Sequence, residues 1–91
     1  MRPIMRTAKK MRKLGFSFLD AKKLAKAREM GGLDIILGTI DALKIPYSIE
    51  VTGKDSMDDS PTGIIILRGI TYSWGITGID FDHPRTSLGG D

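Results

Sequence analysis

The chain has 91 residues, with fourteen Lys and Arg against eleven Asp and Glu, a formal charge of +3 at neutral pH and no cysteine. A chain of this length builds one modest core without staples, and the missing thiols exclude disulfides, thiolate metal sites and cysteine nucleophiles together. The charge is divided: residues 1–30 hold ten basic and two acidic side chains, a net +8, while residues 31–91 hold four basic and nine acidic ones, a net −5.

Such a basic end is the usual electrostatic mark of contact with a polyanion. The apolar runs LDIIL and GIIIL fall far short of the ~20 residues that cross a bilayer. Charges spread through MRTAKKMRKLG leave no uninterrupted apolar segment of a secretory signal. The expectation is a cytoplasmic protein.

In the opening segment, Ile4, Thr7, Ala8, Met11 and Leu14 share one side of a helical wheel, and Arg2, Arg6, Lys9, Lys10, Arg12 and Lys13 gather on the other. Pro3 suits the first turn of this basic amphipathic helix and Gly15 its end. So short a helix is marginal unless it packs on something, and the segment 1–15 is expected to be mobile until it does.

Ser17, with Asp20 three positions on, resembles a capping box, and a run of strong helix formers predicts a helix from about Phe18 to Met30. Its wheel turns Phe18, Ala21, Leu24, Ala25 and Ala27 inward and Lys22, Lys23 and Lys26 outward. Arg28 falls among the inner residues and must either snorkel out or find an acidic partner. After Gly31 and Gly32, a wide apolar face made of Ile35, Ile36, Thr39, Ile40 and Leu43, flanked by Leu33 and Leu37, predicts a central core helix that ends before Pro46. Asp34, Gly38 and Asp41 lie on its polar side.

From Tyr47 the period becomes two: Tyr47, Ile49 and Val51 alternate with Ser48, Glu50 and Thr52, as in a strand with one covered face. Residues 53–63 read as an exposed acidic loop. In GIIILRGITYSW, a hairpin turning at Arg68-Gly69 puts Ile65, Leu67, Ile70, Tyr72 and Trp74 on one face, although Arg-Gly is not a favoured pair for such a turn. Gly75 and Gly78 suggest a turn before a last strand at Ile79 to Asp82. The whole of 1–91 thus reads as a single α+β domain, in which two to three N-terminal helices over 17–45, with the leading segment, pack on a three- to four-stranded antiparallel sheet over 46–82, and residues 83–91 form a loose tail.

No constellation predicts catalysis, a metal or a cofactor. Asp80, Asp82 and His83 are the one cluster of hard ligands with a histidine, and Asp80 and Asp82 would point the same way from a strand. The Asp82-His83 pair resembles the core of HNH nucleases, but those sites need further His or Asn, and the chain has one His and no Asn. Solvated carboxylates at a strand end are the expectation. Asp55, Asp58 and Asp59 lack calcium-loop spacing, TGKDS lacks the first glycine and the following helix of a phosphate loop, and no serine sits in a GxSxG elbow.

The candidate surface is therefore basic: Arg2, Arg6, Lys9, Lys10, Arg12, Lys13, Lys22, Lys23 and Lys26. Such side chains neutralise phosphates with little sequence preference, and without Asn or Gln the chain lacks the side chains that read adenine. Two aspartates and a wall of isoleucine disqualify the third helix as a recognition helix, and Tyr72 and Trp74 read as core, not as stacking platforms. The reading is a non-enzymatic protein that meets nucleic acid or a nucleoprotein complex through its basic helices. The alternative is a protein-binding inhibitor or adaptor. A second copy is a further candidate partner, since Ile64, Ile66, Tyr72 and Trp74 exceed what three helices would cover, while the first helix has no aromatic anchor for a membrane surface.

Overall fold

In the computed structural model, which describes residues 3–85, three helices precede a four-stranded sheet. Arg2 and residues 86–91 of the expected tail lie outside the described residues. Helix α1 (Pro3–Lys13) buries Thr7, Ala8 and Met11, so the marginal helix is held by packing. Its end is a Schellman turn: Phe16 N–H donates to Met11 O and Gly15 N–H to Arg12 O, with Gly15 at φ +106°. Met11 and Phe16, the residues that bracket this turn, are both buried, and the apolar contact fixes the angle at which the chain enters α2 (Phe18–Met30).

The Ser17 side chain caps α2 by accepting from the Asp20 N–H. Ala21, Leu24, Ala25 and Ala27 are its buried residues. Phe18 is not among them: at the first position of the helix it stands 51% exposed. Helix α3 (Leu33–Ala42) buries Ile36 and Ile40 but leaves Ile35 exposed, so its covered face is narrower than its apolar one. Its N-terminus is tied to the sheet, since Leu33 N–H donates to Ile76 O, and a Cβ on Gly32 would strike that same carbonyl. Gly38 is exposed with nothing within 4 Å of a Cβ added there, so neither packing nor backbone geometry requires the roughly 1 kcal/mol of helix propensity that glycine gives up.

The sheet runs β1 (Tyr47–Lys54), β2 (Pro61–Leu67), β3 (Ile70–Gly75) and β4 (Gly78–Ile79), in that spatial order and antiparallel throughout. The hairpin turns at Arg68-Gly69 with Leu67 opposite Ile70 and Ile65 opposite Tyr72. Both turn residues have positive φ, +52° and +79°, the pattern of a type I′ turn. The twist and facial segregation of the strands thus outweigh the poor turn propensity of arginine. Three expectations need correction. The strands extend into the acidic loop, which shortens to residues 55–60. The last strand stops at Ile79, so Asp80 lies just beyond it and Asp82 sits in the turn that follows. Strand β1 is covered only at Tyr47, which packs against the core: Ile49 and Val51 share the side of Ile65 and Gly63, yet are exposed, because β1 is the sheet edge and the buried cluster lies over β2 to β4.

One hydrophobic cluster joins Met11, Phe16, Leu24, Ile36 and Ile40 of the helical layer to Ile65, Leu67, Tyr72, Trp74, Ile79 and Phe81. Tyr72 and Trp74 are core residues and offer nothing to a second copy, whereas Ile64 and Ile66 face the open side of the sheet, partly covered and exposed respectively. Trp74 lies across Gly63, where a Cβ would collide with Glu50 O and press on the indole, and its Nε1 donates to Ile64 O at 2.9 Å. Tyr72 stacks edge-on against Phe81, and its hydroxyl is buried with no hydrogen-bond partner among the described residues. Burial pushes its phenol up to about 12.

An unpaired buried hydroxyl costs about 1–3 kcal/mol in desolvation, so Tyr72→Phe is expected to leave stability in urea unchanged or to raise it by up to about 1 kcal/mol. Because the buried phenol resists ionisation, the fold is unaffected by it below the ordinary tyrosine value and loses stability as pH climbs from about 10 through 12, where the unfolded chain ionises first. The variant should lack that alkaline decline. A loss above about 1 kcal/mol on substitution would mean that the hydroxyl is hydrogen-bonded in solution.

Candidate functional site

Of the nine basic candidates, the eight described ones, Arg6, Lys9, Lys10, Arg12, Lys13, Lys22, Lys23 and Lys26, are all exposed. They do not form one row. The Schellman corner brings the C-terminal end of α1 against the first turn of α2, and there Lys9, Arg12 and Lys13 line a shallow groove of about 380 Å³ together with Phe16, Ser17 and Phe18. The Arg12 guanidinium lies 5.2 Å from the centre of the Phe18 ring and the Lys22 ammonium 5.8 Å from it, so one cation from each helix attends the same half-exposed aromatic. Arg68, at the tip of the β2–β3 turn, places its guanidinium 5.8 Å from the Phe16 ring and adds a cation from the sheet.

Lys23 and Lys26 lie elsewhere, on a groove between α2 and α3 floored by Ala27, Gly38 and Ala42. Lys10 turns back toward the body of the protein, its Nζ 4.0 Å from Asp82 Oδ1.

Asp82 is what holds α1 in this position. Thr7 Oγ1 donates to Asp82 Oδ1 at 2.8 Å and Arg28 Nη1 donates to Asp82 Oδ2 at 2.9 Å, so the turn after β4 joins both basic helices. Thr7 is buried, Arg28 and Asp82 are partly covered, and Arg28 Nη1 also lies 3.4 Å from Thr7 Oγ1. Desolvation by itself raises the carboxyl. Hydrogen bonds from Arg28 and Thr7, and the charges of Arg28 and Lys10, more than reverse this and hold Asp82 below the ordinary carboxylate range. Arg28 thus takes the acidic-partner course and not the snorkelling one, and Asp82 is no solvated strand end.

The other acids do not converge. Asp80 meets His83 Nδ1 at 3.1 Å on the surface while Asp82 faces the helices. Among the described residues no three His, Asp, Glu or Cys gather as metal ligands, and no helix there is long and apolar enough to cross a membrane.

Comparison with protein-family models, curated proteins and solved structures gives no match to this chain. The chemistry of the surface therefore rests on its own residues.

Sequence reasoning missed Phe18, Arg68 and Asp82 as parts of this surface and its support. Phe18 sat on the apolar side of a wheel, and the wheel does not know that its neighbour α1 ends at Gly15. Arg68 had a signal, a lone basic residue at a hairpin tip, but nothing to say that the tip reaches the α1–α2 corner. The need of Arg28 for an acid was legible, and the acid was not, since the chain carries eleven.

The lowered pKa of Asp82 stabilises the fold above the ordinary carboxylate value of about 4, and that contribution disappears as pH falls through the lower folded value. Asp82→Asn is therefore expected to cost about 1–3 kcal/mol at pH 7, with the gap to the parent closing as pH drops below about 4. Urea unfolding from pH 7 to pH 2 measures this. A gap constant over that range would show that the carboxylate charge plays no part.

Proposed function

We propose that the protein binds nucleic acid, alone or within a nucleoprotein complex, through the α1–α2 corner, and that it does so without catalysing a reaction. Lys9, Arg12, Lys13 and Lys22 neutralise phosphates, Arg6 extends their reach along the first helix, Arg2 adds a charge ahead of it in the chain, and Arg68 adds one from the sheet. The observation that carries this reading is the convergence of Arg12 and Lys22, from two different helices, on the half-exposed ring of Phe18. Solvated charge runs on separate helices have no reason to meet at an aromatic, whereas cations around an exposed ring suit phosphate and base together. The lack of Asn and Gln points to binding with little sequence preference.

Fluorescence anisotropy with labelled duplex DNA, single-stranded DNA and RNA across a salt series tests this. The affinity should fall linearly with salt on a log–log plot. Replacing Lys9, Arg12, Lys13 and Lys22 by Ser should make that slope shallower by about 0.7–0.9 for each phosphate no longer neutralised. Lys10 is left in place because it faces Asp82. No binding to any of the three at low salt overturns the reading, and recovery of a stoichiometric protein partner in that case would favour an adaptor.

A further inference from the structure

The groove between α2 and α3 has features that nucleic-acid binding leaves unexplained. Met30 and Ile35 stand exposed on its walls, 66% and 43% respectively. Its floor is cut down to Ala27, Gly38 and Ala42, with an exposed helical glycine that no internal packing requires. Its α2 rim carries Lys23 and Lys26; on α3, outside the groove's own lining, the exposed Asp34 and Asp41 stand one turn to either side of Gly38 on the same helical face. All four are exposed, and none makes an ion pair within the described residues.

We propose that this face is a dimer interface and that its occupant is a second copy of the chain. A face with lysines on one helix and aspartates on the other is self-complementary under one particular two-fold axis. An axis in the interface plane running along the groove lays the α2 of one copy over the α3 of the other, so the lysines of each copy meet the aspartates of the other. An axis across the groove sets lysine on lysine, and charge repulsion disfavours it.

The levels along the groove agree with the first arrangement. With a rise of about 1.5 Å per residue, Lys23 lies about 13 Å and Asp41 about 14 Å from the Gly31-Gly32 link, because α2 runs toward that link and α3 away from it. An axis along the groove preserves these levels and puts Lys23 opposite the partner's Asp41. Lys26 then lies at the level of the partner's Gly38, where the missing side chain receives its aliphatic stem, and Met30 falls near the partner's Ile35. The proposal does not depend on the nucleic-acid reading, because Lys9, Arg12, Lys13 and Lys22 stay outside the interface.

The paired faces are small. Two short helices side by side cover about 20 Å by 20 Å, less than the ~800 Å² per partner of a standard interface, so the dimer should form in the micromolar range. Sedimentation velocity from about 5 to 200 µM on the full chain reads it. The parent should pass from monomer to dimer over this range, and Lys23→Glu or Asp41→Lys alone should weaken association at least tenfold with an unchanged circular dichroism spectrum. The double variant carrying both reversals restores opposite charge across the axis and should regain the parent affinity, which a folding defect would not.

A monomer at the highest concentration overturns the proposal. So does a dimer indifferent to both reversals, or one abolished instead by Ile49→Lys with Val51→Lys, which would assign association to the edge of β1. Failure of the double variant to recover would likewise overturn the proposed axis.

Discussion

A single carboxylate, Asp82, closes the molecule on itself. It accepts from Thr7 near the start of the chain and from Arg28 in the second helix, spanning 75 and 54 positions of sequence. The first helix has eleven residues, too few to persist in water unaided. Its order comes from burial of Thr7, Ala8 and Met11 and from this anchored turn. The basic face has a fixed orientation only because the opposite face is held, so the acidic half of the chain contributes directly to the geometry of the basic half.

The sheet supplies that anchor and little of the exposed charge. Trp74 and Tyr72 fill its inner face, and the glycine at position 63 lets the indole lie flat across β2. After Asp80, whose N–H still donates to Ser73 O, the chain turns away from β3, which frees Asp82 to face the helices. A strand that continued to Asp82 would alternate from the buried Ile79 and aim the carboxylate at the open face of the sheet, so the early end of β4 is what makes the clamp possible. The same economy leaves β1 with apolar side chains that no helix covers, since the buried cluster lies over β2 to β4.

The basic residues resolve into two surfaces with different neighbours. Around the α1–α2 corner they attend aromatics, Arg12 and Lys22 at Phe18 and Arg68 at Phe16. On the α2–α3 side Lys23 and Lys26 border an apolar groove whose other helix carries exposed aspartates. Helical geometry alone makes this division. Neighbouring lysines at positions 22 and 23 point about 100° apart, so one serves each side of α2.

The helix limits, the capping serine, the Gly15 stop and the register of the 67/70 hairpin were all legible in the sequence, because each depends on residues within a few positions of one another. The switch from a helical to an alternating apolar pattern at Tyr47 likewise placed the boundary between the layers. Which apolar residues are covered was not legible. Phe18, Ile35, Ile49 and Val51 obey the same periodicities as buried residues, and periodicity records which face a residue occupies, not whether another element lies over it. The partner of Arg28 and the approach of Arg68 to Phe16 required tertiary structure for the same reason. The sequence by itself determined the elements, their order and the division of charge; only the tertiary structure decided which charges meet, because contacts across tens of residues depend on how the layers pack.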